Sequence, residues 1–187
     1  MIRALSTAAT GMIGQEMYVD TISNNLANVN TTGFKKNRVD FHDLIYQTIK
    51  PAGVPIAEDM ISPTGVQLGH GVRVVGTPKV FNQGATIETF SPLDMMIDGD
   101  GFFQMIKPDG NIAYSRDGGF KLNNEGDIVN SDGFLLEPQL TVPQDAVEIV
   151  ISSDGIVSYR PSGEAGLVEL GQVQLARFIN PAGLRSL

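Results

Sequence analysis

"NNLANVNTTGFKK", residues 24–36, closes the most regular apolar pattern in the chain with asparagines at 24, 25, 28 and 30, a Thr-Thr-Gly and a small basic cluster. Asparagine is a poor helix former, because its amide competes for backbone hydrogen bonds. The pattern it closes is a seven-residue repeat. One register holds Leu5, Met12, Val19 and Leu26, and the other holds Ala8, Gln15, Ile22 and Val29. Apolar residues averaging one per 3.5 positions over four heptads predict a coiled-coil seam, with an amphipathic helix packed on a sheet as the alternative. Gly11 and Gly14 each cost such a helix about 1 kcal/mol relative to Ala. A segment so compromised does not hold in water by itself, and without a partner helix the first thirty residues are expected to be disordered or transiently helical.

The chain offers no such partner. Residues 40–50, "DFHDLIYQTIK", are expected to form a short helix carrying Phe41, Leu44, Ile45 and Ile49. That helix cannot cover four heptads. The partner is therefore expected in another molecule or in sequence past Leu187.

Residues 50–65, "KPAGVPIAEDMISPTG", hold three prolines and little periodicity, and read as a linker or extended arm. From Val66 the texture becomes that of strands. Runs such as "ATIETF", "GFFQMI", "NIAYS", "GFLLE", "VEIVI" and "IVSYR" alternate with six Asp-Gly pairs. Asp-Gly between apolar runs predicts type I′ hairpins. The expected fold is mainly β with an N-terminal coiled-coil-type helix and an antiparallel, irregular β-sandwich or barrel. The expected divisions are an axial helix at 1–33, an extended intermediate region at 34–65 and a β-rich domain at 66–187, with a sub-boundary near 137–146.

The 187 residues carry a net charge of −8, unevenly placed. Residues 1–50 hold five basic and four acidic side chains, hence +1, and the other 137 hold eight and seventeen, hence −9. Nucleic-acid binding needs a basic face, which this chain lacks. Hydrophobic content of 42% with 18% charged residues fits a folded protein, and the absence of cysteine removes disulfides, thiolate metal sites and cysteine nucleophiles. The amino end has no continuous apolar core of a cleaved secretory signal, and no stretch approaches a membrane span.

Chemistry is sparse. "DGDG" at 98–101 places carboxylates close together, but the positions that follow carry Phe102 and Phe103 where a calcium loop needs an oxygen ligand and a glycine. A calcium-dependent binding module therefore stands second to plain turns. His42 and His70 have no His or Cys neighbours for a zinc site. "GHGVRVVG" lacks the spacing of a dinucleotide fingerprint, and Asp94, Asp98 and Asp100 lack the aromatic cleft of a glycosidase. No catalytic residue, metal or cofactor is expected. Lys35, Lys36 and Arg38 form one basic spot, either a solvated face or a dock for an acidic surface.

Two stretches carry a family resemblance. "SNNLANVNTTGFKK" at 23–36 resembles the signature of the flagellar axial proteins, the rod, hook and hook-associated subunits. "DGDGFFQMIKPDGNIAYSRDGGFKLNNEGDIVNSDGFLLEP" at 98–138 resembles the β-domain that rod and hook subunits share. "DFHDLIYQTIKPAG" followed by "PTGVQLGHGVRVVGT" is similar to the distal-rod members, with proximal rod or hook as the alternative within the family. The resemblance implies a non-enzymatic subunit that is exported without a cleaved signal. It would polymerise with its own copies into a hollow helical tube in the periplasmic basal body and pass torque from motor to hook. The implied partners are neighbouring rod and hook subunits and the surrounding ring proteins. Family members end in a second helix that pairs with the first, and this chain is expected to lack it. The interface would fall on Leu5, Met12, Val19, Ile22, Leu26 and Val29, with Asn24, Asn25, Asn28 and Asn30 offering amides and Lys35 and Lys36 offering charge to neighbours.

Overall fold

The computed structural model describes residues 2–53, 55–57, 60–163 and 166–186. They form two compact units, Met1–Val29 with Lys36–Val80, and Asn30–Lys35 with Phe81–Leu187. The sequence expectation of a mainly β chain with one N-terminal helix holds.

The first unit is helix α1 (Ile2–Ala27) and a long antiparallel ribbon. The ribbon pairs β1 (Asp40–Asp43) with β6 (Val72–Gly76), β2 (Tyr46–Lys50) with β5 (Val66–Gly69), and β3 (Pro55–Ala57) with β4 (Met60–Ile61). Its register is nearly constant, from the Asn37–Lys79 bridge outward, so the three pairs are one hairpin interrupted by bulges. The short helix expected at 40–50 is not formed. Phe41, Leu44, Ile45 and Ile49 suit helical spacing locally, yet residues 66–76 supply a complementary strand, and the ladder it completes outweighs a helix too short to be stable alone. The first thirty residues also differ from the expectation of disorder, since α1 is continuous. The helix rests on the ribbon, a partner that heptad reasoning did not supply.

The second unit is built on β7 (Phe102–Ile106), in which Phe102, Phe103 and Met105 are buried and Gln104 and Ile106 half-buried. It pairs with β8 (Ile112–Ser115), β11 (Leu135–Glu137) and β15 (Leu175–Ala176). The sheet continues from β11 to β10 (Ile128–Val129) and β9 (Lys121–Leu122). A second sheet runs β12 (Ala146–Ile151), β13 (Ile156–Pro161), β14 (Val168–Gln172). The two sheets share a core in which Met105, Ile128, Leu136 and Val157 are almost wholly enclosed. The chain ends in a 3-10 turn at Pro181–Gly183. "ATIETF" at 85–90 is not a strand. Its backbone pairs with no other strand, and both Ile87 and Phe90 are exposed.

The hairpin turns depart from type I′ in a uniform way. In Lys107–Asn111, Asn123–Asp127, Asn130–Phe134 and Ser152–Ile156 the fourth residue, a glycine, donates its N–H to the first carbonyl, and the first N–H donates to the fifth carbonyl. Each is a three-residue loop, a type I turn closed by a left-handed glycine. Gly110, Gly126, Gly133 and Gly155 all have φ between +77° and +90°. The glycine is displaced one place from where type I′ needs it, and in three of the four turns the first side chain, Asn123, Asn130 or Ser152, caps the loop. Asn123 Oδ1 accepts from the N–H groups of Glu125 and Asp127, and Asn130 Oδ1 from those of Asp132 and Phe134. Asp117-Gly118 is no hairpin turn. Gly118 lies under the Met95 backbone, where a Cβ would come 1.6 Å from the Met95 carbonyl oxygen.

Asp127 is buried beneath the second of these turns and fastens it to the 139–142 strap. It accepts from Thr141 Oγ1 and from Asn123 Nδ2. The Thr141 bond, then those of Gln139 and Asn123, hold its carboxyl below the usual carboxylate range against the opposing effect of burial. A depressed folded value means that ionised Asp127 stabilises the fold above its unfolded pKa of about 3.9, and that this contribution is lost as pH falls through the folded value. Asp127→Asn should lower the urea midpoint at pH 7, and the gap from the parent should narrow on acidification to pH 3. Gly118→Ala should destabilise by roughly 1–3 kcal/mol through forced displacement of the Met95 strap, read as a lower urea midpoint with the helix signal unchanged.

Candidate functional site: the two faces of the N-terminal helix

Helix α1 carries two stripes of heptad spacing. The apolar stripe read from sequence is uncovered. Leu5 is 70% exposed, Met12 67% and Leu26 69%, and Val19, Ile22 and Val29 are also exposed. The second stripe was not anticipated. Thr7, Gly11, Gly14, Tyr18, Thr21, Asn25 and Asn28 repeat at the same spacing, and at 3.6 residues per turn they lie roughly 110° around the helix from the first stripe. The helix docks on the ribbon through this stripe. Gly14 is its buried residue, and a Cβ there would meet the Phe41 ring at 3.2 Å and Val72 at 3.7 Å. The Tyr18 and Phe41 rings lie 6.1 Å apart. Thr10 Oγ1 donates to the Thr7 carbonyl (2.7 Å) and accepts from the Val72 N–H (3.4 Å). At Gly71, which has φ of +114°, any Cβ would strike Thr10. Gly14, which weakens α1 as a helix, is therefore the residue that lets the ribbon approach it, whereas a Cβ at Gly11 would meet nothing within 4 Å.

The asparagines have separate uses. Asn25 turns to its own chain, where its Nδ2 donates to the Asn37 carbonyl (2.8 Å) and its Oδ1 accepts the Asn37 N–H (2.9 Å). The amide thus imitates a strand neighbour and ties the helix end to the root of the ribbon. It is committed inside the unit, against the expectation that it faces a neighbouring subunit. The Asn24 carbonyl accepts both the N–H and the Nδ2 of Asn28, which closes the last turn. A side-chain amide that bonds two backbone groups cannot be recognised without knowing that residue 37 lies beside residue 25.

The basic cluster is divided. Lys35 belongs to the second unit, where its Nζ donates to the Asn82 carbonyl (2.8 Å). Burial, then the nearby Arg116 charge, pulls its pKa below the ordinary lysine value. Lys36 is exposed in the first unit, and its carbonyl accepts the Val80 N–H. Arg38 pairs with Asp40 at 2.8 Å. In the second unit Thr32 Oγ1 donates to Asp117 (3.0 Å), and Gly33, at φ of +70°, sits where a Cβ would come 2.6 Å from the Asp117 nitrogen. The Thr-Thr-Gly of the opening stretch is thus a close-packed anchor. Among the described residues no three His, Asp or Glu side chains converge as a metal site, and no helix is long and apolar enough to cross a membrane.

Asn25→Ala removes both bonds to Asn37 and should lower stability by about 1–3 kcal/mol. Amide exchange at Asn37 and at the C-terminal turns of α1 should rise while exchange in the second unit is unchanged.

Known proteins resemble the chain in sequence over its whole length. Residues 5–35 match the family of flagella basal body rod proteins, and residues 96–159 match the family of the flagellar hook protein FlgE/F/G D1 domain. Flagellar basal-body rod protein FlgG of Borreliella burgdorferi is 47% identical over the whole chain, which spans 71% of that protein. FlgG of Caulobacter vibrioides is 45% identical with the same coverage. The flagellar hook protein FlgE of Helicobacter mustelae is 40% identical over 73% of the chain, which spans 30% of that protein. Two family matches in chain order and identities of 45% and 47% over the whole chain show that it belongs to the family of flagellar basal-body rod proteins of the FlgG type.

Proposed function

We propose that the chain is a structural subunit of the distal rod, polymerising with its own copies into a hollow helical tube that carries torque from motor to hook. One observation carries the reading. Leu5, Met12, Val19, Ile22, Leu26 and Val29 form a continuous apolar stripe that stays uncovered after the helix has used its other stripe to dock. A stripe of that length in water is a binding face awaiting a partner helix. Family membership supplies the kind of assembly that would cover it.

Under this reading α1 lines the tube, the β2–β5 part of the ribbon lies between neighbours, and the second unit forms an outer layer toward the surrounding rings. The ribbon supports this role, since Ile45, Tyr46, Ile49, Val66 and Leu68 are all exposed on a two-stranded element that is marginal alone. Rod and hook proteins would adjoin the ends of the tube. The role is mechanical, and the relatives' names describe structural parts rather than enzymes. Torque is resisted when each subunit makes many contacts in a non-closing, head-to-tail array.

Burying one Leu or Val contributes about 1.5–3 kcal/mol, so replacing Leu26 by Asp in the full-length protein should raise the concentration needed for polymerisation about tenfold or more. Sedimentation and electron microscopy read the effect, and an unchanged β-sheet spectrum shows that the second unit still folds. Gln15→Leu should act in the opposite direction. Rods formed at the parental yield by Leu26→Asp would refute the assignment of this stripe.

A further inference from the structure

We propose that the exposed Ala85–Phe90 segment of one subunit docks into a cationic, aromatic-walled cleft in the second unit of the next, through Glu88 and its two apolar flanks. The proposal rests on the polymerising role argued above. The cleft, of about 500 Å³, is lined by Phe102 and Phe178 with Arg116 and Arg177. Phe102 and Phe178 meet edge to face at 5.7 Å. The Arg116 guanidinium lies 5.3 Å from the Phe102 ring centroid. Its Nη2 donates to the Gly99 carbonyl (2.7 Å) and its Nη1 to Gln83 (3.4 Å). Its Nε is buried with no hydrogen-bond partner, and among the described residues no carboxylate pairs with it. Arg177 pairs with Asp100 at 3.1 Å, so the lining carries two cations against one anion. Lys35, whose pKa the Arg116 charge helps to lower, adds to the positive field. In a chain of net charge −8 this is an uncommon place, and what it lacks is a second carboxylate, one for Arg116.

The same unit presents a segment of matching chemistry. Ile87 is 81% exposed and Phe90 is 106% exposed, and Glu88 lies between them. The backbone from Gly84 to Thr89 pairs with no strand, so it is free to lie along another surface. Among the described residues no cation pairs with Glu88. The cleft and the segment are different patches of one molecule, so joining them between copies makes a heterologous contact. Such contacts propagate and do not close into a dimer. A second copy is therefore the occupant, with Glu88 reaching the guanidinium groups and Ile87 and Phe90 covering the rings and Ile179, itself wholly exposed.

The chain has no cysteine, so an introduced pair reports cleanly. Full-length protein carrying Phe90→Cys and Ile179→Cys, polymerised and then oxidised, should give a ladder of covalent multimers. An equimolar mixture of the two single variants should give dimers only. Glu88→Arg should raise the polymerisation concentration about tenfold, and adding Arg177→Glu should recover most of that loss. Normal rods without a ladder would overturn this contact and leave the rod assignment standing. A disulfide formed within one chain, without gain in mass, would overturn it too. Failure of the parent protein to form rods at all would overturn both readings.

Discussion

Everything in the first unit follows from how the surface of one helix is divided. A 26-residue helix with two glycines in its middle and asparagines at its end has little stability of its own. It is held by close backbone approach along a stripe of Thr, Gly and Asn. That choice leaves the larger apolar side chains facing out. Had the helix docked through Leu5, Met12, Val19 and Leu26, the unit would be a better isolated globule and would have nothing left for assembly. Docking through the small side chains leaves the large ones as an open apolar face, the observation on which the proposed assembly rests.

The second unit works by another principle. It encloses its own core around β7, and its hairpins are closed by one turn design used four times. A first Asn or Ser caps three of these turns, and Asp127 carries one of them onto a neighbouring strap. Such local bonding orders each of these tight turns within five residues. The share of this unit that matches both rod and hook relatives fits a body used for more than one section of an axial structure.

Much of the candidate site was legible. The stripe of α1 is local periodicity, and a period of 3.5 can be read without knowing any neighbour. The second stripe, Thr7 to Asn28, has the same period but was read only as a set of weak helix formers, because smallness signals a contact only once the contacting chain is known. Phe41 and Ile49 illustrate the complementary failure. Their spacing allows a helix or a strand, and the pairing of residues 40–50 with 66–76 decided between them. Residues 85–90 failed in the other direction. Strand-forming residue types are not enough when no edge is available to pair with.

The sequence by itself determined that the chain folds, that its amino end carries an apolar stripe of heptad spacing, and where three of its four glycine-closed turns fall. Each of these depends on residues within a few positions of one another. Only the tertiary structure decided that the ribbon is the helix's internal partner, that Asn25 is bonded to Asn37, that Gly118 lies under Met95, and that Arg116 and Arg177 share a cleft. Those facts depend on the register of long-range strand pairs, which is set by the free energy of the whole packed chain and leaves no mark in any short window of it.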